Sequence, residues 1–158
     1  MSKKIAAGSS HLVLDLPVGP TAKIRSEAAA KALSNRPSAV ATAFGLRSRI
    51  VITDGTQPVG RGIGPALEAH EVLRVLQRSA DAPIDLRERA CALAGALLEL
   101  GGRAQTGEGQ QLATRTPDDG RAWAKLQRIC EAHGGNARSA DGAAASRDLR
   151  NRELKAKA

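Results

Sequence analysis

Two short segments near the start of the chain have the apolar patterns of β-strands. Every second residue from Leu12 to Leu16 is leucine and Pro17 follows, so we predict a strand over 11–16 that leads into a turn. Residues 49–53, Arg-Ile-Val-Ile-Thr, are mostly apolar and β-branched, which favours a buried strand. Because helical sequence lies between and after them, their order predicts a parallel pair joined by a right-handed crossover.

Two helical pieces are predicted between the strands. Ser26 has the side chain of an N-cap, and alanine-rich sequence follows it to Leu33. Pro37 removes a backbone donor, so we expect the helix to break or kink there. A second piece over 38–44 is predicted to end at Gly45, since glycine commonly follows a helix C-terminus.

Three more helix starts lie after the second strand. A glycine-rich loop leads to Pro65, which suits the first position of a helix. Asp85 and Glu88 have the spacing of a capping box. Residues 116–119 predict a third start, for a helix ending near Gly134. The predicted fold class is α/β, as part of a mixed or parallel sheet flanked by helices.

The chain changes character after residue 135. Residues 138–158 carry six Lys or Arg against three Asp or Glu, among small residues and few large apolar ones. We therefore predict an α/β unit over 1–135 and a basic, disordered tail over 136–158.

Composition limits the stability of the core and the choice of compartment. Alanine dominates the apolar residues, and the large aromatics are only Phe44 and Trp123. A core built on alanine buries little area per residue, so the chain is expected to depend on a partner or on sequence that is missing from it. Cys91 and Cys130 are predicted to be buried thiols in a reducing cytoplasm, with no secretion signal and no membrane segment.

The loop after the first strand is the first candidate site. Ligands of open α/β sheets bind beyond the carboxyl ends of strands. Here Gly19 allows close approach to the backbone, Thr21 supplies a hydroxyl, and Lys23 supplies a cation suited to phosphate. The alternative is an ordinary turn with a solvated lysine.

The glycine-rich loop before Pro65 is the second candidate. Its spacing, G-x-G-x-G, is not that of a dinucleotide fingerprint. Such a loop can instead turn carbonyl oxygens toward a hard cation, and Glu71 could complete that set. The alternative is a tight loop with Glu71 on a solvated helix face. At the N-terminus, Lys3 and Lys4 have the pattern of a frayed basic end.

Three segments in order carry a family resemblance. They are 2–23, with Ser-Lys-Lys and Val-Gly-Pro-Thr-Ala-Lys; 52–68, with Thr-Asp-Gly-Thr-Gln-Pro-Val-Gly-Arg-Gly-Ile-Gly; and 121–135. This set resembles the thymidine phosphorylase and AMP phosphorylase family. The loop at 18–23 is most similar to the branch that holds archaeal AMP phosphorylases and bacterial proteins labelled thymidine phosphorylase.

The resemblance implies an incomplete nucleoside phosphorylase α/β domain. Family members use inorganic phosphate as co-substrate to cleave an N-glycosidic bond, and they release a base and a sugar 1-phosphate. They are homodimers and require no organic cofactor. Thymidine is the expected substrate because bacterial members usually carry that label. AMP is the alternative, since the 18–23 loop suits a nucleotide.

The resemblance also implies roles for single residues. Lys3 matches the lysine that contacts the base, and Lys23 matches a residue that holds the nucleotide. The residues that match the potassium site of some relatives are Val59, Gly62 and Glu71. No catalytic acid or base is assigned.

The resemblance does not include the family's phosphate-cradling loop, which precedes this segment in complete members. We therefore expect an internal fragment that does not catalyse phosphorolysis by itself. Two other classes stay open: a non-catalytic subunit or gene remnant, and a basic nucleic-acid-binding module, for which the formal charge of +8 is weak support. Arginines that are not interleaved with aromatics favour no specific nucleic-acid partner.

Overall fold

The structure is a computed structural model that describes residues 2–134. In that stretch the chain forms, in order, α1 (Ser2–Ala6), β1 (His11–Val18), α2 (Glu27–Ala43), β2 (Arg47–Asp54), α3 (Pro65–Leu76), α4 (Ile84–Leu100), α5 (Gly109–Asp118) and α6 (Arg121–Ala132). Two compact units contain them. The sheet unit holds the residues up to Val59 with Glu88–Thr114, and the helical unit holds Gly60–Arg87 with the described residues from Arg115 on. The predicted tail over 136–158 lies outside the described residues.

The sheet unit is built on two parallel strands, which confirms the predicted α/β class. The pairing runs from His11 beside Arg47 to Val18 beside Asp54, so all eight residues of each strand are in register. Partners across a parallel pair share a face of the sheet. The pair therefore has one face with Leu12 and Leu14 and an opposite face with Val13 and Asp15.

The leucine face is covered by α1 and α2. Leu12, Ala41 and Leu46 form a buried cluster, and Ile5 and Leu14 pack against it. The contact of Ile5 explains why the N-terminal residues form a helix rather than the frayed end expected from their charge. The core that results is small because alanine supplies much of it.

Helix α2 continues through Pro37, so the predicted break is wrong. Ser26 Oγ accepts a hydrogen bond from the Ala29 N–H at 3.2 Å, which confirms the predicted N-cap. Pro37 has no N–H to donate to the carbonyl of Leu33, four residues earlier. Leu33 is exposed, so water can hydrogen-bond that carbonyl. Packing of Ala41 after the proline keeps the helix on the sheet.

The end of α2 is a Schellman motif. Gly45 has a φ of 68° and donates to the carbonyl of Thr42 at 3.0 Å, while the Leu46 N–H donates to the Ala41 carbonyl at 2.9 Å. The predicted stop at Gly45 is confirmed. The motif also places Leu46 in the buried cluster, so the helix end and the core are formed by the same residues.

The opposite face of the sheet is tied to α4 by polar side chains. Arg49 Nη1 lies 2.6 Å from Glu99 Oε2, and Glu99 Oε1 accepts from the N–H groups of Gly107 and Gly109, each at 3.0 Å. Backbones of α4 and α5 approach closely here: a Cβ on Gly95 would lie 2.6 Å from the Gln110 Cα. Glu99 thus joins β2, α4 and the start of α5.

Two predicted helix starts are wrong. Residues 116–118 end α5, because Ala113 and Pro117, four residues apart on one face, are both buried and keep that helix packed to its last turn. The next helix, α6, begins at Arg121 after Gly120, whose φ is 82°. Asp85 is not the N-cap of α4, which begins at Ile84.

The two cysteines differ in environment. Cys91 is buried, as predicted, whereas Cys130 is only half-buried, so the prediction is wrong for Cys130. Both are free thiols. No helix among residues 2–134 is long and apolar enough to cross a membrane.

Truncation of Leu12 tests the small core. We expect Leu12→Ala to lower the free energy of unfolding by about 2–4 kcal/mol, since Leu12 is buried in the cluster with Ala41 and Leu46. Leu33→Ala, at an exposed position of α2, is the matched control and should cost less than about 1 kcal/mol. Urea unfolding of both variants makes the comparison, and equal losses would show that the cluster is not the core.

Acid titration tests the junction at Glu99. The hydrogen bond from Arg49 and the N–H of Gly109 hold the pKa of Glu99 below its ordinary value of 4.5. A lowered folded-state pKa stabilises the protein above the unfolded-state value, and that stabilisation is lost as the pH falls through the folded-state value. The free energy of unfolding of the wild type should therefore fall more steeply between pH 7 and pH 3 than that of Glu99→Gln. Parallel profiles of unfolding free energy against pH for the two proteins would contradict this prediction.

Candidate functional site

Two glycines bring the loops after β1 and β2 into contact. A Cβ on Gly19 would lie 2.6 Å from the Thr56 nitrogen, and one on Gly55 would lie 2.9 Å from the Pro17 Cβ. The Gly55 N–H donates to the Val18 carbonyl at 2.8 Å. No side chain fits at either position, so Gly19 and Gly55, here called the glycine junction, fix the two loops at the carboxyl end of the strand pair.

The loop after β1 is closed on itself. The Gly19 N–H donates to the Ile24 carbonyl and the Ala22 N–H donates to the Gly19 carbonyl, each at 3.1 Å. Thr21 and Lys23 are exposed on this loop, and no hydrogen bond or ion pair with another residue of the 2–134 stretch engages either side chain. Sequence reasoning predicted these two residues as a hydroxyl and a cation, and the structure brings them together on one short closed loop.

Asp54, the last residue of β2, holds the loop that follows it by a hydrogen bond from the loop backbone to its carboxylate. Asp54 Oδ1 accepts from the Thr56 N–H at 2.8 Å. This backbone hydrogen bond, assisted by the Thr56 hydroxyl, holds the pKa of Asp54 below its ordinary value of 3.8. Asp54 is therefore ionised at neutral pH and acts as a brace for the turn rather than as a proton donor.

Sequence reasoning missed a polar network under these loops. Thr53 Oγ1 donates to Asp15 Oδ1 at 2.5 Å, and Arg89 Nη1 donates to Thr53 Oγ1 at 2.9 Å. Arg89 Nη2 donates to the Asp54 carbonyl at 2.5 Å. One guanidinium of α4 thus contacts both strands, including the carbonyl of Asp54, the last residue of β2. The sequence signal was a polar pair, Asp15 and Thr53, on the α4 side of the strands.

Lys3 stands apart from this loop in the bonding pattern. It lies in α1 and is exposed. No hydrogen bond in the described residues joins it to Thr21 or Lys23. The predicted roles of Lys3, Thr21 and Lys23 in substrate binding stay predictions.

The glycine-rich loop has a different arrangement from the solvated helix face considered as its alternative. Glu71 is 8% exposed, and its Oε1 and Oε2 accept from the Arg61 N–H at 3.0 and 2.9 Å. Arg61 Nε lies 3.7 Å from Glu71 Oε1. The Gly60 N–H donates to Asp85 Oδ2 at 2.8 Å, and this bond lowers the pKa of Asp85. Two acidic side chains from α3 and α4 therefore hold the loop.

Glu71 already has a cationic neighbour, which bears on the predicted potassium site. Gly62 lies with Glu71 in the helical unit, and Val59 is the last residue of the first segment of the sheet unit. No group of three or more His, Cys, Asp or Glu among the described residues has the arrangement of a metal site. A site made of carbonyls and one carboxylate stays a prediction.

Comparison with curated proteins finds relatives with high sequence identity to this chain. The "Putative thymidine phosphorylase" of Chelativorans sp. (strain BNC1) is 63% identical over 135 residues, which are 85% of this chain and 26% of that protein. "Putative thymidine phosphorylase 1" of Acidovorax sp. (strain JS42) is 62% identical over the same shares. Over 85% of its length, this chain is therefore similar to proteins named for thymidine phosphorylase. It spans about a quarter of the length of these relatives, and no family model matches it.

The similarity to these relatives gives the closed loop a context. The family resemblance at Val-Gly-Pro-Thr-Ala-Lys covers the segment 18–23, which the glycine junction holds at the carboxyl end of β1. That edge is where open α/β sheets bind ligands. The candidate site is therefore the closed loop with Thr21 and Lys23, supported below by Arg89.

Removal of the Arg89 guanidinium tests the support of the site. We expect Arg89→Gln to lower the free energy of unfolding by about 1–3 kcal/mol, because its hydrogen bonds to Thr53 and the Asp54 carbonyl are charge-assisted and half-buried. Arg89→Lys should recover less than half of the loss, since one ammonium cannot reach all the partners.

Arg103→Gln is the matched control for Arg89. It removes the same charge from an exposed residue of the sheet unit and should change the stability by less than about 0.5 kcal/mol. Urea unfolding gives these values, and amide shifts of Gly55 and Thr56 report the loop. A variant with unchanged stability and unchanged amide shifts would contradict the role assigned to Arg89.

Proposed function

We propose that this chain is part of the substrate site of a nucleoside phosphorylase whose substrates are thymidine and inorganic phosphate. The products are thymine and 2-deoxyribose 1-phosphate. The names of the curated relatives support this substrate. The observation that carries the proposal is the closed loop at the carboxyl end of β1, on which a hydroxyl and a cation are exposed within three residues of each other.

The reaction sets the demands on the site. A phosphate oxygen forms a bond to C1′ of the sugar while the bond from C1′ to the base nitrogen breaks. The bonding electron pair goes to the base, which then takes up a proton. We assign the Lys3 ammonium to the base carbonyl, where a cation stabilises the developing negative charge. Thr21 and Lys23 are assigned to the sugar side, where they orient the ligand.

Potassium takes no part in the proposed reaction. The Glu71 carboxylate, which would be its charged ligand, is buried against the Arg61 N–H and has a guanidinium 3.7 Å away. A second cation at that carboxylate would meet the positive charge of Arg61. We propose that the enzyme needs no metal or organic cofactor and works as a cytoplasmic homodimer.

AMP is the second candidate substrate, and Lys23 is the observation that favours it. An ammonium on a loop at the carboxyl end of a strand suits a phosphate monoester. Thymidine carries no phosphate, so in its case the cation would have to serve the phosphate co-substrate. With AMP the same chemistry would yield adenine and ribose 1,5-bisphosphate.

A chimera tests the substrate. The 135-residue segment of the Chelativorans relative is replaced by the matching residues of this chain, and release of free base is measured with thymidine or AMP in the presence of phosphate. We expect thymine release that depends on phosphate and falls about tenfold or more in Lys23→Gln, the loss typical of one charge-assisted contact. The matched control is Lys125→Gln, which changes an exposed lysine of α6. Release from AMP alone would establish the second candidate.

The 158-residue chain by itself is expected to bind ligand without turning it over. It spans about a quarter of its relatives, and positioning of both reactants supplies much of the rate enhancement in such a reaction. The measurement is phosphate-dependent release of thymine by the purified chain, beside the double variant Lys3→Ala/Lys23→Ala. Turnover above that variant would contradict this expectation.

A further inference from the structure

A cleft in the helical unit has the chemistry of an anion site. Its volume is about 240 Å³, slightly below the roughly 300–1,000 Å³ of drug-sized ligand pockets. Residues at the end of α3, at the start of α4 and at the end of α5 line it, and none of them belongs to the closed loop or the glycine-rich loop. They include Val75, Arg78, Ser79, Pro83, Ile84, Arg87 and Asp118.

Two arginines converge on this cleft. Arg87 Nη2 lies 2.5 Å from Asp118 Oδ1, and Arg78 Nη1 donates to the backbone carbonyl of the same residue at 2.8 Å. The contact of Arg78 is with a neutral carbonyl, and no carboxylate of the described residues pairs with its guanidinium. With two positive charges and one negative charge on its wall, the cleft has a net positive charge.

The backbone places Arg78 where glycine is usual. Its φ is 60°, in the left-handed region, and it follows the C-cap of α3. The Ser79 N–H donates to the Arg74 carbonyl at 3.0 Å and the Arg78 N–H to the Val75 carbonyl at 3.2 Å, so this is a Schellman end. Arginine in that conformation is less favourable than glycine. What it adds here is a guanidinium at the mouth of the cleft.

The remaining lining suits a ligand that is only partly charged. Ser79 is half-buried and supplies a hydroxyl beside Arg78. Val75 and Pro83 are buried and form an apolar floor, and Ile84 is 70% exposed at the rim. A guanidinium presents donors in a fixed fork that matches the oxygens of phosphate.

We propose that this cleft binds a phosphate group, either as inorganic phosphate or as the phosphate of a small ester. Arg78 and Arg87 donate to its oxygens with the guanidinium N–H groups that Asp118 does not use, and Ser79 donates its hydroxyl. Val75, Pro83 and Ile84 contact the carbon part of an ester.

Amide-shift titration of the ¹⁵N-labelled 158-residue chain tests the site. The Lys23→Gln background removes the cation of the closed loop, so failure of the proposed function does not affect the result. The probes are inorganic phosphate and ribose 5-phosphate. We expect saturable shifts of the amides of Arg78, Ser79 and Arg87. Equal affinities would identify free phosphate as the ligand, and tighter binding of the ester would identify an ester, with either result supporting the site.

Variants separate the cleft from general charge effects. Arg78→Gln should weaken binding about tenfold or more, as loss of a charge-assisted contact does. Ser79→Asp leaves both arginines in place and should abolish binding by adding a carboxylate beside them, so the test does not depend on the stability of one variant. Arg103→Gln removes one charge from the sheet unit and should leave the affinity within about twofold. Shifts that do not saturate, or an equal loss in Arg103→Gln, would overturn the proposal.

Discussion

The close approach of Gly19 to the backbone of Gly55 and Thr56 determines the form of the candidate site. Two strands alone make a small sheet, so contacts beyond the strand ends must fix where the chain goes next. Because neither glycine tolerates a side chain, the two loops are packed backbone to backbone. The exposed Thr21 and Lys23 then extend from a closed loop rather than from a free segment.

In the sheet unit, polar side chains supply tertiary contacts that a large apolar core supplies in other proteins. The buried cluster is small, with Leu12, Ala41 and Leu46 as its members. Arg89 and Glu99 of α4 compensate by bonding to strand and loop backbone on the opposite face. A network of this kind is stable only while its charges are matched, since an unpaired buried charge costs more than its partner contributes. The same network ties the carboxyl end of the strand pair to α4 through charged and polar side chains.

Local chemistry made part of this structure predictable. The N-cap at Ser26, the stop at Gly45 and the helix start at Pro65 are each set by one residue and its neighbours, and each is confirmed. The break at Pro37 was wrong because tertiary packing of Ala41 outweighs one missing hydrogen bond. The start at 116–119 was wrong because burial of Pro117 extends α5 across a sequence that has the composition of a cap.

The position of the candidate site was predictable from the sequence, but the contacts that hold its loops in place were not. Thr21 and Lys23 follow a strand directly, so the position of the loop follows from topology alone. Arg89 lies 35 residues beyond Asp54 in the chain, and no local pattern links a helical arginine to that carbonyl. Glu71 was expected on a solvated face if it bound no cation, and its burial comes from the fold of the glycine-rich loop over α3.

One measurement tests the central claim, that the closed loop at the glycine junction is the ligand site. Amide shifts of the labelled 158-residue chain are mapped with thymidine in phosphate buffer and, separately, with AMP. The account predicts shifts at residues 19–23 and 55–56 that are lost in Lys23→Gln and kept in Lys125→Gln. Shifts elsewhere in the chain, with residues 19–23 unaffected by either ligand, would contradict it.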